Sequence, residues 1–139
     1  MKRGRSLLAL CLVILTLCIT GCKTKESRIE KLREIEFTVV KESEIPVELL
    51  KMIDERKQEP LKFTYATQNK DFLYIVVGYG KQVTGGYSIA LNDLYLTKNA
   101  IYIDTDLVGP SKDDVVTQAM TYPYIVIKTE YMDKPVAFT

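Results

Sequence analysis

From Leu61 onward the chain runs in segments where apolar and polar residues alternate, and a period of two specifies half-buried strands rather than helices. Leu61, Phe63 and Tyr65 alternate with Lys62, Thr64 and Ala66, and Gln68-Asn69-Lys70-Asp71 supplies a turn. Residues 72–77 (FLYIVV) are apolar on both faces, the pattern of a central strand. Residues 88–91 and 94–96 are strand-like, with Asn92-Asp93 marking a bulge between them. Lys98-Asn99 is a tight turn into residues 100–107, where Ile101, Ile103 and Thr105 share one face. Residues 109–118 read as a polar loop. Residues 122–130 form a closing strand, with Pro123 placing its start at a sheet edge, and Val136–Phe138 adds a short last strand.

Upstream, residues 35–40 (IEFTVV) are a first strand and residues 23–34, two-thirds charged, a linker or frayed helix. One helical pattern stands out, VELLKMIDERKQE after Pro46, with Ser43 or Glu44 as its cap and Val47, Leu49, Leu50 and Ile53 as its apolar face. Six or seven strands, one helix and no βαβ rhythm give an α+β, mainly β fold. The expected architecture is a small antiparallel β-sandwich or open barrel with one amphipathic helix against a side.

The N-terminus carries a different signal. Lys2, Arg3 and Arg5 precede an apolar run over residues 7–20, too short to span a bilayer and suited to a signal peptide. The run ends in Ile19-Thr20-Gly21-Cys22, which looks like a bacterial lipobox. That resemblance implies cleavage before Cys22 and a diacylglyceryl group on its sulfur, so that acyl chains hold the protein on the extracytoplasmic side of the cell membrane. The expected organisation is a signal peptide over 1–21, a lipid-anchored tether over 22–34 and one β-rich domain over 35–139.

Composition narrows the chemistry. The 19 Lys and Arg balance 18 Asp and Glu, and removing the three leader cations leaves 16 against 18, or −2. Such a near-neutral chain with interspersed signs has no footprint for nucleic acid. There is no histidine, so His-based triads, His general bases and His metal ligands are excluded. Of the three cysteines, Cys11 and Cys18 lie in the leader, so a mature chain starting at Cys22 can form no internal disulfide and no Cys/His zinc site. Asp104, Asp106, Asp113 and Asp114 lack the spacing of a calcium loop and read as a solvated strand end. Ser111 and Lys112 are adjacent and point apart. No catalytic residue, metal or cofactor is expected.

Four of the seven glycines fall between Gly78 and Gly86. The strand formers that follow exclude a phosphate cradle, which needs a helix N-terminus. Gly85-Gly86 either supplies positive φ in a hairpin connection, or lets a partner's backbone approach with Tyr87 as a rigid contact. Nine tyrosines accompany no tryptophan. Tyr65, Tyr74, Tyr95 and Tyr102 fall at alternate strand positions, whereas Tyr122-Pro123-Tyr124 sets two aromatics around a rigid residue, a composition favoured at interfaces.

Residues 74–128 resemble the C-terminal domain of the protease-complex subunit PrcB family, with a matching core over about 72–130. The resemblance is carried by Val76-Val77-Gly78-Tyr79-Gly80, by Thr84-Gly85-Gly86-Tyr87-Ser88-Ile89, by Val108-Gly109-Pro110, and by Val116-Thr117-Gln118-Ala119-Met120-Thr121-Tyr122-Pro123-Tyr124. It implies a non-enzymatic lipoprotein that binds or stabilises an exported protease through Thr84, Gly85, Gly86, Tyr87, Tyr122, Pro123 and Tyr124. The Thr-Gly-Gly-Tyr loop is also similar to a loop of chagasin-type cysteine-protease inhibitors, although their Arg-Pro-Trp loop has no counterpart here. Protease inhibition and ligand binding in the envelope are the alternative expectations.

Overall fold

The computed structural model describes residues 28–139; the leader, the lipobox and Cys22 lie outside the described residues. Among the described residues, eight strands form two four-stranded sheets, and one helix covers the second. The first sheet has the order β1 (Lys31–Glu34), β5 (Ser88–Thr97), β6 (Ile101–Val108), β8 (Val136–Phe138). The second has the order β2 (Phe37–Val39), β7 (Tyr124–Glu130), β4 (Phe72–Tyr79), β3 (Pro60–Ala66). All pairings are antiparallel except β6 with β8, because β8 returns from the end of the second sheet to start beside Ile101. The architecture is the expected mainly β sandwich, and the sheets do not close into a barrel.

Strand β4 explains the layering. Its odd residues Leu73, Ile75 and Val77 face the first sheet and pack with Ile35, Leu94, Ile101, Ile103 and Ile127. Its even residues Tyr74 and Val76 face the helix α1 (Val47–Arg56) and pack with Ile45, Leu49, Ile53, Leu61 and Val126. A strand buried on both faces needs apolar residues at every position, which is why residues 72–77 do not alternate. Val76 and Ile75 are fully buried on opposite faces.

Several expectations are corrected. Residues 31–34, the end of the charged stretch assigned to the linker, are strand β1. All four of its residues are exposed, so an edge strand with no buried face gives no apolar period to read. Its backbone pairs Lys31 with Thr97 and Glu34 with Tyr95, and Ile35 follows it into the core. Helix α1 has no side-chain cap, since Pro46 stands at the N-cap. Its buried face is Leu49 and Ile53, four residues apart on one line; Leu50 is half-buried and Val47 is 79% exposed. The 80–87 segment is not a hairpin, because β4 and β5 belong to different sheets and it carries the chain from one to the other. Strand β7 lies inside its sheet between β2 and β4, although its first residues have a strand on one side only.

The turns follow their sequences. Lys98-Asn99 closes the β5–β6 hairpin, where Thr97 Oγ1 accepts the backbone N–H groups of Asn99 (3.3 Å) and Ala100 (3.0 Å). The Asn92-Asp93 bulge shifts the β5–β6 register between Leu91 and Asp93.

Candidate functional site

At the end of the sandwich away from the β5–β6 hairpin, the 80–87 and 109–123 segments close against each other. Gln82 and Thr121 exchange two backbone hydrogen bonds, Gln82 N–H to Thr121 O at 2.8 Å and Thr121 N–H to Gln82 O at 3.0 Å. Farther out, Gly85 N–H donates to Thr117 O at 2.9 Å, and Thr121 Oγ1 donates to Thr84 O at 2.7 Å. Closer in, Tyr79 N–H donates to Pro123 O at 3.1 Å. Together these bonds form a ribbon that prolongs the β4–β7 pair beyond the sheet.

The glycines fit this ribbon to its own neighbours. Gly85 is buried against Thr117, whose Oγ1 occupies the space a Cβ would need. Gly86 is exposed, has φ +85°, and faces Val116 Cγ1 and Pro110 Cβ, 2.6 Å and 3.0 Å from where a Cβ would stand. The Tyr87 ring lies against Gly109, with Cε1 3.3 Å from the corresponding Cβ position. Three separated motifs are thereby packed into one cluster. The close approach that Gly85 makes within the domain is to this chain's own Thr117. Tyr79 secures the base of the cluster: its hydroxyl bridges the sheets, donating to Thr105 O at 2.7 Å and lying 2.9 Å from Thr105 Oγ1.

The two aromatic motifs do not form one patch. Tyr87 is half-buried on Gly109, whereas Tyr122 and Tyr124, with Pro123 between them, face the helix side. There Lys57 Nζ stands 5.8 Å from the Tyr122 ring centroid, and Tyr124 OH donates to Glu42 Oε2 at 3.5 Å. Burial, then the Glu42 carboxylate, pushes the Tyr124 phenol above its ordinary range. Lys57 is raised above an ordinary lysine by its hydrogen bond to Asp54, 2.8 Å away. Val39, Val40, Glu42 and Ile45 form the opposite wall of a groove of about 280 Å³ beside these residues.

The cluster has an apolar rim that strand periodicity does not mark. Val83 (71%), Met120 (60%) and Val115 are exposed in the two connecting segments, and Val108 is exposed at the end of β6. In the sequence the signal is the presence of Val115 and Met120, with Val116 and Ala119, in a connecting segment that is otherwise rich in polar residues. The acidic residues take structural roles: Asn92 Nδ2 donates to Asp106 Oδ2 (2.8 Å) and Asp104 Oδ2 (3.2 Å), and Asp114 Oδ2 accepts from Ser111 N–H (2.7 Å). Among the described residues no group of three or more His, Cys, Asp or Glu side chains is placed to hold a metal ion, and no helix is long and apolar enough to cross a membrane.

Residues 73–130 match the family model described as PrcB C-terminal. The chain carries a PrcB C-terminal domain. No curated protein and no solved structure matches the chain. The PrcB C-terminal segment takes in β4, β5, β6 and β7, two strands from each sheet, and with them every buried residue of the inter-sheet core except Ile35. It also contains the whole loop cluster. Helix α1, β1, β2, β3 and β8 lie outside it, so the layer behind the second sheet is supplied by other parts of the chain.

Proposed function

We propose that this protein is a non-enzymatic interaction subunit, anchored on the extracytoplasmic face of a cell membrane through a lipid on Cys22, that binds or stabilises an exported protease. The observation that carries the reading is the PrcB C-terminal match over residues 73–130, whose motifs are the residues that pack into the end-of-sandwich cluster. Exposed apolar side chains at Val83, Val115 and Met120 give that cluster a surface a protein partner can cover.

The anchor and the partner separate in one experiment. Full-length protein purified from membranes of cells that express it should carry the acyl modification and bring a protease with it. Cys22→Ala should shift the protein from the membrane to the soluble export fraction. Substituting Met120→Asp on the apolar rim, where the side chain makes no core contact, should reduce protease recovery while leaving the melting temperature unchanged. A membrane fraction unaffected by Cys22→Ala contradicts the anchor, and recovery of no protease contradicts the partner.

A further inference from the structure

Strand β7 is paired on both sides only in its second half. On its β2 side the last bond is Val40 N–H to Val126 O at 2.8 Å, after which the chain leaves the sheet through a 3-10 turn at Glu42–Glu44. Alternation along an extended strand then fixes where the next groups point. The carbonyls of Thr121 and Pro123 both face the 79–82 segment, accepting from Gln82 and Tyr79. The N–H and C=O groups of Tyr122 and Tyr124 therefore face the opposite way, into the lane that β2 has vacated. Outside the strand ladders no hydrogen bond among the described residues engages a backbone group of Tyr122 or Tyr124, and the alternation turns both residues away from the β4 ladder, where Tyr124 stands opposite Gly78. Pro123 lacks its N–H on the covered side, so the proline removes no donor from the open lane.

The lane is the groove walled by Val39, Val40, Glu42 and Ile45 opposite Tyr122, Pro123 and Tyr124. Glu42 forms no ion pair among the described residues, and its carboxylate stands at the lane beside the Tyr124 hydroxyl. We propose that this lane is a strand-addition site, which takes an extended segment of a partner protein antiparallel to β7 in line with β2, with a Lys or Arg side chain of that segment against Glu42. Main-chain pairing to Tyr122 and Tyr124 supplies the binding, as in other additions to an open sheet edge, and Glu42 supplies the preference. A second copy of this chain suits the lane less well, since two-fold pairing of Tyr122-Pro123-Tyr124 on itself brings two Glu42 carboxylates to one interface. The inference deepens the interaction-subunit reading and rests on it for the partner being a protein.

The test uses full-length protein in detergent micelles with ¹⁵N-labelled tyrosine, whose nine amides report on separate edges. Tyr65 lies on β3, Tyr95 is paired with β1, Tyr102 with β8, and Tyr122 and Tyr124 line the lane. The probe is a capped octapeptide of alternating valine and threonine with one central lysine. It should move the Tyr122 and Tyr124 amides first and bind more tightly than its glutamate counterpart, and Glu42→Lys should invert that preference. N-methylation of the peptide residue facing Tyr124 removes a donor and blocks approach, and should weaken binding about tenfold or more. N-methylation of its neighbours should not. Shifts confined to Tyr65, Tyr95 or Tyr102, no binding, or indifference to N-methylation each overturn the site. Concentration-dependent shifts at Tyr122 and Tyr124 without peptide identify a second copy and overturn the choice of occupant. Peptide binding here with no protease recovered from membranes fails the functional reading alone, whereas a protease held through other residues fails this inference alone.

Discussion

Gly86 stands at φ +85° with Val116 and Pro110 closed over it, so two separate physical costs meet at one residue. A side chain there would face the left-handed penalty of about 1–2 kcal/mol and would also push against Val116 and Pro110 in a segment that hydrogen bonds hold close. Gly86→Ala should therefore lower stability by at least that backbone penalty, read as a fall in the denaturant midpoint, and Gly85→Ala should do the same by displacing Thr117. Tyr79→Phe removes one partly buried hydrogen bond between the sheets and should cost about 1 kcal/mol in the same measurement. The sequence marks Gly85-Gly86 as a special backbone site, because glycine among strand formers demands a reason. It does not reveal which segment approaches, since Pro110 and Thr117 come near only after the chain has run out along β5 and back along β6.

Legibility at the level of elements follows burial. Strand β4 is buried on both faces and reads as an unbroken apolar run; β6 is buried on one and reads as Ile101, Ile103 and Thr105 in alternation. Strand β1 has no buried residue, so its backbone pairing to β5 leaves no trace in the side chains. Helix α1 is intermediate: its existence is clear, but Val47, Leu49, Leu50 and Ile53 cannot all face the sheet, and only the packed structure selects Leu49 and Ile53. Leu49→Ala should then cost about 2–5 kcal/mol as a buried large-to-small change, while Val47→Ala on the exposed first turn should leave the urea midpoint close to that of the parent. Equal effects at the two positions would contradict the packing of α1 described above.

Across the whole molecule, the two ends of the sandwich differ in what they join. The described chain enters the first sheet with Lys31 paired to Thr97, beside the β5–β6 hairpin, whereas the loop cluster closes the far end, where Ser88 pairs with Val108. Ten residues of β5 separate the ends, or about 30 Å at the rise of a strand. If the proposed lipid lies at Cys22, the tether reaches the domain at its hairpin end and the PrcB C-terminal motifs stand at the other. The most direct measurement is photocrosslinking in the native membrane, with the reactive group placed at Met120 on the cluster and, separately, at Lys98 on the hairpin. An exported protease should be crosslinked from Met120 and not from Lys98. A protease captured only from Lys98, or no protease from either position, would contradict it.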